Sequence, residues 1–473
     1  MVFSSYVFLF LFLPVLFLCY YLIPGRFRNV RNIVLLVFSF LFYGWSNPKY
    51  LVLLCVSIAI NWSGSTVIYL LRNRETYVWK KITLIAVVLC NIILFAYYKY
   101  MDFFIMNVNA IFGTNMPLLK IMLPVGISFY TFQGMSYYID VYRNPSLYLK
   151  NPLKVALYIT LFPQLVAGPI VRFSDVAAEI SDRQESLSEC VSGLRRFILG
   201  LAKKIILADT FGIVADYAFS QRGLTFGISW AGAIAYTLQI YLDFSGYSDM
   251  AIGLGKMFGF HFNENFNYPY VSKSITEFWR RWHISLSSWF RDYVYIPLGG
   301  NQCSQGRQIR NMAVVWILTG VWHGASWNFA VWGIYYLVWL ILEKYAFHKL
   351  LARIPAFVRH VATMLIVVFG WVLFRTENLL HACMYIGCML GVKGTQMDMT
   401  YFWAQLLNYK VFWGIGLLAV TPVCKNMVMR LNGKWGESLL YQSIQNVVVL
   451  VVFVISLLYV ISSSYNSFIY FQF

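Results

Sequence analysis

Long apolar runs separated by short polar segments dominate this chain. Four runs near the start cover residues 6–23, 30–46, 50–71 and 82–100, and a last one covers residues 444–462. Each run is close to the roughly 20 residues that an α-helix needs to cross a bilayer. Strands of a membrane barrel would instead give short segments of alternating hydropathy. The pattern therefore predicts an all-α, polytopic membrane protein.

The middle of the chain is less regular than its ends. Gly and Pro interrupt the apolar residues 120–142 and 155–171, a pattern that favours broken or re-entrant helices beside a cavity. Residues 173–197 are polar and amphipathic and predict a pair of surface helices. We expect one integral-membrane domain over residues 1–473, with N-terminal helices (1–120), a core (121–345) and C-terminal helices (346–473).

Composition and charge support a membrane protein. Apolar residues make up 60% of the chain and aromatic residues 19%. The net charge of +18 resides largely in loops between apolar runs, where membrane topology requires it, so we expect no nucleic-acid partner. Basic residues crowd positions 24–31, 72–81 and 344–360, which places these loops in the cytoplasm and both termini outside it. The eight cysteines include no CxxC pair, and no metal site is predicted.

The strongest candidate for chemistry is a histidine inside an apolar stretch. Residues 312–342 carry no charged side chain and are too long for one simple span, and His323 lies near their middle, after Trp322. An ionisable group at membrane depth is costly and usually marks a pathway or a reaction. The alternative is a core histidine that hydrogen-bonds a neighbouring backbone or hydroxyl group.

A second histidine, His283, lies in the segment TEFWRRWHISLSSWFRDYVYIPLGG. Plotted as one helix over residues 278–293, this segment has an aromatic face and an arginine-rich face, with His283 on the border. Such a helix is typical of an anchor in the membrane interface. Alternatively, its arginines hold the phosphates of a cytoplasmic donor. The side chains concerned are Trp279 and Trp282 on the first face and Arg280, Arg281 and Arg291 on the second.

A third segment, TLQIYLDFSGYSDMAIGLGKMFGF, places polar side chains within an apolar helix. Buried polar groups need partners or water. The segment therefore predicts either a hydrogen-bonded helix interface or the lining of a cavity. Its candidate residues are Gln239, Asp243, Tyr247 and Asp249.

Taken together, TEFWRRWHISLSSWFRDYVYIPLGGN and VWHGASWNFAVWG resemble the membrane-bound O-acyltransferase family, in its bacterial alginate O-acetyltransferase-like branch. Further motifs extend the resemblance, in order, over nearly the whole chain: FLFYGWSNPKY, LPVGISFYTFQGMSYYIDVYR, LFPQLVAGPIVR, LDFSGYSDMAIG and the ending FIYFQF. The resemblance implies a ring of about ten or more transmembrane helices, with re-entrant or interfacial helices around a central funnel.

The resemblance also implies roles for the two histidines. His323 corresponds to the catalytic histidine of the family and His283 to its second position. We expect His323 to act as a general base and His283 to orient donor or acceptor, although a transient acetyl-histidine is an alternative. The candidate donor- or substrate-binding residues around them are Trp279, Arg280, Arg281, Trp282, Arg291, Gln239, Asp243, Tyr247, Asp249, Trp322 and Asn328.

The implied substrates lie on opposite sides of the bacterial cytoplasmic (inner) membrane. Acetyl-CoA is the implied donor, with no bound cofactor, and a hydroxyl of an exported, alginate-like polysaccharide is the final acceptor. A separate extracytoplasmic acetyltransferase of the SGNH type is the implied partner, and the aromatic ending either contacts it or anchors in the interface.

The sequence is also compatible with other functions. Within the class, the alternatives are O-acetylation of peptidoglycan and D-alanylation of teichoic acid. Outside it, the alternative is a transporter or channel whose histidines line a permeation path. Inverted repeats, which many transporters show, are not apparent in the sequence.

Overall fold

The computed structural model describes residues 1–45, 47–221, 223–392 and 395–462. Regular structure in these ranges is helical, apart from an isolated bridge between Thr225 and Gln396. The C-terminal motif FIYFQF lies outside the described residues. The chain forms two compact units: unit 1 is Met1–Phe197 with Met250–Asn263, and unit 2 is Ile198–Asp249 with Glu264–Phe473. The single membrane domain with three sections stays a prediction.

Nine α-helices begin within the described part of unit 1. They are α1 (Leu13–Tyr21), α2 (Arg28–Gly44), α3 (Lys49–Leu70), α4 (Tyr77–Phe112), α5 (Ile127–Arg143), α6 (Pro152–Thr160), α7 (Phe162–Leu165), α8 (Phe173–Ser181) and α9 (Leu187–Ala202), the last of which ends in unit 2.

The two segments of unit 1 in which Gly and Pro interrupt the apolar residues differ in structure. The break expected within residues 155–171 is confirmed, because α6 ends at Thr160 and only the single turn of α7 follows. Within residues 120–142, by contrast, the chain is irregular only up to Gly126, and α5 then continues through Gly134 without a break. A Cβ on Gly134 would lie 2.5 Å from Nδ2 of Asn61, so this glycine permits close packing of α5 on α3. The surface helix pair expected over residues 173–197 corresponds to α8 and α9.

Unit 2 contains the remaining helices, of which α11 extends into unit 1. They are α10 (Asp209–Ser220), α11 (Phe226–Met257), α12 (Ile275–Arg281), α13 (Ile284–Phe290), α14 (Gln305–His323), α15 (Trp327–Ile341), α16 (His348–Arg353), α17 (Ala356–Arg375), α18 (Leu379–Met389), α19 (Thr400–Asn408), α20 (Lys410–Ala419), α21 (Val423–Trp435) and α22 (Leu439–Ser462).

The described helices confirm the polytopic membrane class. Five are long and apolar enough to cross a membrane: α3, α4, α15 with its extension to Ala346, α17 and α22. A sixth span is α20 with α21 if this pair, bent by 65°, counts as one. Shorter apolar helices include Phe8–Tyr21, which begins before α1. The count of ten or more spans stays a prediction.

A buried ionic network holds unit 1 together. Arg28 and Arg31 both pair with the carboxylate of Glu185, with Nη1 of Arg31 lying 3.0 Å from Oε2. Arg183 donates to Oδ1 of Asn32 at 2.7 Å and to the hydroxyl of Tyr20 at 2.9 Å. Burial raises the pKa of Glu185, but the hydrogen bonds from Arg28 and Tyr20 outweigh it and hold that pKa below its usual range. The network ties α1 and α2 to the turn between α8 and α9.

We expect Glu185→Gln to destabilise the protein strongly. The substitution leaves Arg28 and Arg31 partly buried without their counter-charge, and breaking such a pair typically costs about 3–5 kcal/mol. The melting temperature in detergent should therefore fall by about 5 °C or more. Glu189→Gln is the matched control, because Glu189 pairs with the half-exposed His261 and with no other charged side chain among the described residues. An equal shift in both variants would contradict a special role for the network.

Candidate active site

His323 lies at the turn between two helices of unit 2. It is the last residue of α14. Gly324 and Ser326 follow with extended backbones, and the side chain of Ser326 caps α15 by accepting from the backbone N–H of Asn328. The apolar stretch that was expected to be too long for one span is therefore two helices joined by a short turn. His323 is 7% exposed.

Two glycines let α14 and α15 touch backbone to backbone. A Cβ on Gly333 of α15 would lie 2.5 Å from the carbonyl oxygen of Trp316 on α14. A Cβ on Gly320 of α14 would overlap the carbonyl oxygen of Phe329 on α15. Because neither helix can move closer or rotate without a clash, this contact fixes His323 relative to α15.

Aromatic rings enclose the His323 imidazole. Its ring centroid lies 5.0 Å from those of Trp322 and Trp332 and 5.2 Å from that of Phe374. These rings belong to α14, α15 and α17. Such walls exclude water, and electrostatic interactions inside them are stronger than in solution.

His283 lies at a break in the predicted interfacial helix, so the expectation of one helix over residues 278–293 is wrong. Helix α12 ends at Arg281, His283 adopts a left-handed conformation (φ 44°), and α13 begins at Ile284. The preceding loop supplies the hydrogen bonds that a continuous helix would make itself. The backbone N–H of Ile284 donates to the carbonyl of Asn265 at 2.9 Å, and that of Asn267 donates to the carbonyl of Arg281 at 2.9 Å.

The His283 side chain is 1% exposed and held by specific contacts. Its Nδ1 lies 3.1 Å from Oδ1 of Asn265, and the ring of Phe244 on α11 meets it edge-on at 4.7 Å. Among the described residues, Nε2 has no hydrogen-bond partner. His283 lies outside the helices that can span a membrane, and burial lowers its pKa to about 3, which keeps it neutral at physiological pH.

Trp322 joins the two histidines. Its ring centroid lies 5.0 Å from that of His323 and 6.0 Å from that of His283. Residues 40 positions apart in the sequence thus flank one buried indole, within a single compact unit.

The aromatic candidates face the protein core instead of lipid. Trp282 is 4% exposed and packs on Trp371 at 4.6 Å. Trp279 packs on Trp316 and Tyr336, each at 4.8 Å. The structure therefore does not place this face in the membrane interface, as the anchor interpretation requires.

The polar candidates on α11 and α15 are held in structural contacts. Asp243 pairs with Lys204 at 3.3 Å, and Asp249 pairs with Lys203 at 2.6 Å. These ion pairs favour a bonded helix interface over a cavity lining. Nδ2 of Asn328 donates to the carbonyl of Thr376 at 2.5 Å, while Gln239 and Tyr247 are buried within α11.

The three arginine candidates differ in their availability. Arg281 pairs with Glu277 at 2.9 Å, and Arg291 pairs with Asp292 at 2.7 Å. Arg280 is exposed and forms no ion pair with the described residues. Of the three, Arg280 is the guanidinium most available to an anionic ligand. Among all the residues that the structure describes, no group of three His, Cys, Asp or Glu side chains is arranged to hold a metal ion.

Asn265 was not predicted from the sequence. It is fully buried in the loop between α11 and α12, and its side chain contacts His283, Ser285 and Ser248. The only local signal is the asparagine-rich stretch FNENFN, which by itself indicates a turn as readily as a site.

These features define a polytopic helical membrane protein with a buried pair of histidines. The family model described as "MBOAT, membrane-bound O-acyltransferase family" matches residues 143–391, which include both of them. The chain belongs to this family and is an O-acyltransferase. Family membership sets aside the transporter and channel alternatives.

Relatives of stated function match most or all of the chain. A protein named "Probable alginate O-acetylase AlgI" from Pseudomonas putida is 40% identical over 100% of both chains. The protein of that name from Pseudomonas aeruginosa is 45% identical over 80% of this chain and 73% of its own. The peptidoglycan O-acetyltransferase of Helicobacter pylori is 32% identical over 100% of this chain and 98% of its own.

We expect Gly333→Ala to impair both stability and acyl transfer, because the added methyl group forces α15 away from the carbonyl of Trp316 and shifts the wall around His323. Overpacking of this kind typically costs about 1–3 kcal/mol. Gly306→Ala is the matched control, since a Cβ there meets nothing within 4 Å on α14. Thermal melting and transfer rate are measured for both variants. Wild-type values for Gly333→Ala would show that the close contact is not required.

Proposed function

We propose that this protein moves an acetyl group from cytoplasmic acetyl-CoA across the inner membrane for O-acetylation of exported alginate. The observation that carries the proposal is the pair of buried histidines, His283 and His323, flanking Trp322 in an aromatic enclosure. Alginate is favoured as the polymer because relatives named for alginate acetylation are more similar over the whole chain than the one named for peptidoglycan acetylation.

The reaction requires one group that takes a proton from an alcohol. The hydroxyl oxygen forms a bond to the acetyl carbon, the C–S bond of the thioester breaks, and the thiolate leaves. A thiol has a pKa of about 8.5, so the thiolate leaves readily, whereas the alcohol needs a base in order to attack. The base then passes the proton to the departing sulfur, which restores the starting state.

His323 is the better candidate for that base. An imidazole is suited to proton transfer near neutral pH when it lies within hydrogen-bonding distance of the hydroxyl. Because His323 corresponds to the catalytic histidine of the family and His283 to its second position, we assign proton abstraction to His323 and orientation of a substrate group to His283. In the alternative route, His323 itself carries the acetyl group as a transient acetyl-histidine.

In this proposal the donor and the final acceptor lie on opposite sides of the membrane. Basic loops at residues 24–31, 72–81 and 344–360 support a cytoplasmic location for the donor and an external location for both termini. The alcohol that attacked the thioester then holds the acetyl group as an ester, and an extracytoplasmic acetyltransferase partner of the SGNH type transfers this group to a hydroxyl of the polymer.

We expect His323→Ala to lower acetyl transfer to alginate by at least about 100-fold, because general-base catalysis typically supplies a factor of 10² to 10⁴. His283→Ala should reduce transfer less. His348→Ala is the control, since His348 is exposed on α16. Transfer is measured with labelled acetyl-CoA and normalised to folded protein in the membrane.

Two results would contradict this assignment. Retention by His323→Ala of more than about a tenth of the activity would exclude the general-base role. An equal and complete loss of acetyl transfer in both histidine variants would instead favour a catalytic role that the two residues share. Peptidoglycan is tested in parallel with labelled acetyl-CoA, and teichoic acid with a labelled D-alanyl donor. Labelling of either in place of alginate would replace the proposed polymer.

We expect Arg280→Gln to raise the KM for acetyl-CoA more than it lowers kcat, which is the pattern of lost uniform binding. The reason is that Arg280 forms no ion pair with the described residues and is therefore available to donor phosphates. Arg291→Gln is the matched control, since Arg291 already pairs with Asp292. A fall in kcat alone, or an equal effect in both variants, would contradict phosphate binding by Arg280.

A further inference from the structure

The carboxamide of Asn265 is the centre of a buried polar cluster beside His283. Its Oδ1 accepts from the backbone N–H of Ser285 at 3.3 Å and from the hydroxyl of Ser285 at 2.8 Å, and it lies 3.1 Å from Nδ1 of His283. Its Nδ2 donates to the hydroxyl of Ser248 on α11 at 2.9 Å. Both Asn265 and Ser248 are buried. The cluster therefore links α11, the following loop and the break between α12 and α13.

These contacts determine which way the carboxamide points. A backbone N–H can only donate, so the Asn265 atom that faces Ser285 must be the oxygen. The same oxygen faces Nδ1 of His283 and can only accept, which means that Nδ1 must carry a hydrogen. A neutral imidazole has one N–H, so its other nitrogen, Nε2, bears a lone pair.

The lone pair on Nε2 is buried and has no hydrogen-bond donor among the described residues. Leaving a buried acceptor unsatisfied is unfavourable, so such a group calls for an explanation. The left-handed backbone at His283 (φ 44°) is a second unfavourable feature at the same residue, and such conformations are concentrated at functional sites. A substrate that supplies the missing donor accounts for the unsatisfied lone pair.

We propose that Asn265 is a positioning residue that holds His283 as the Nδ1–H tautomer, so that Nε2 accepts a hydrogen bond from an N–H or O–H group of the substrate. This inference rests on the proposed function only in placing the substrate next to His283. The tautomer itself follows from the protein contacts alone, and it can be tested without any acetyl transfer.

The first test is therefore spectroscopic. The chain contains six histidines, and the spectrum of His283→Ala identifies the signals of His283 in nitrogen-15 NMR of histidine-labelled protein. We expect the wild-type signals to be those of the Nδ1–H tautomer, with an unprotonated Nε2. Signals of the Nε2–H tautomer in the wild type would overturn the proposal, whether or not the protein acetylates alginate.

The second test uses two substitutions of Asn265. Asn265→Asp keeps an acceptor facing Nδ1 and Ser285, and the Ser248 hydroxyl can rotate to donate to it, so the tautomer should persist. The added negative charge should raise the pKa of His283, read from the pH dependence of its nitrogen-15 signals, by about one unit or more. Asn265→Leu removes the acceptor, and we expect a mixture of tautomers with a kcat reduced about tenfold or more.

Asn61→Leu is the matched control, because Asn61 is also fully buried and its amide pairs with that of Asn91 in unit 1. It should leave the tautomer and the pKa of His283 unchanged. If Asn265→Leu fails to fold, the wild-type spectrum and the pH titration of His283 in Asn265→Asp still decide the question. Wild-type kcat and a single tautomer in Asn265→Leu, or an unchanged pKa of His283 in Asn265→Asp, would overturn the positioning role.

Discussion

Polar groups that are buried among apolar helices must find partners within the protein, and this constraint governs both units. In unit 1, Glu185 is matched by Arg28 and Arg31. In unit 2, Lys204 lies 2.6 Å from a carboxylate oxygen of Asp209 and also pairs with Asp243. Because these pairings are specific, they set how the helices of each unit meet, and nonpolar packing then fills the remaining space.

The same constraint produces the catalytic geometry that we propose. The backbone of the loop around Asn265 takes up hydrogen bonds at the break between α12 and α13, and this break turns His283 towards Trp322. On the other side of that indole, the close contact of α14 with α15 holds His323 inside aromatic walls. A dry enclosure strengthens each interaction with a developing charge, which is what transfer of an acyl group to an alcohol requires.

Much of this arrangement could be predicted from the sequence, and the exceptions have physical causes. Long apolar runs predicted the membrane helices, and the family motifs predicted that His283 and His323, which both lie beside Trp322, form one site. The break at His283 was missed because neither Gly nor Pro marks it, and its cause lies in hydrogen bonds from a loop that is distant in sequence. The aromatic face with Trp282 was assigned to the interface because amphipathicity does not distinguish lipid from a protein core. The ion pair of Arg281 with Glu277 could have been predicted from the sequence, because the two residues are four positions apart on one helix.

In the proposed reaction, acetyl groups enter from the cytoplasm and leave on the other side of the membrane through the site around His323. Membrane vesicles of both orientations, prepared from alginate-producing cells that contain this protein, test it directly when labelled acetyl-CoA is supplied only outside them. We expect labelled polymer inside inverted vesicles, none in right-side-out vesicles, and none in inverted vesicles that carry His323→Ala. Labelling in right-side-out vesicles, or labelling that does not depend on His323, would contradict the account.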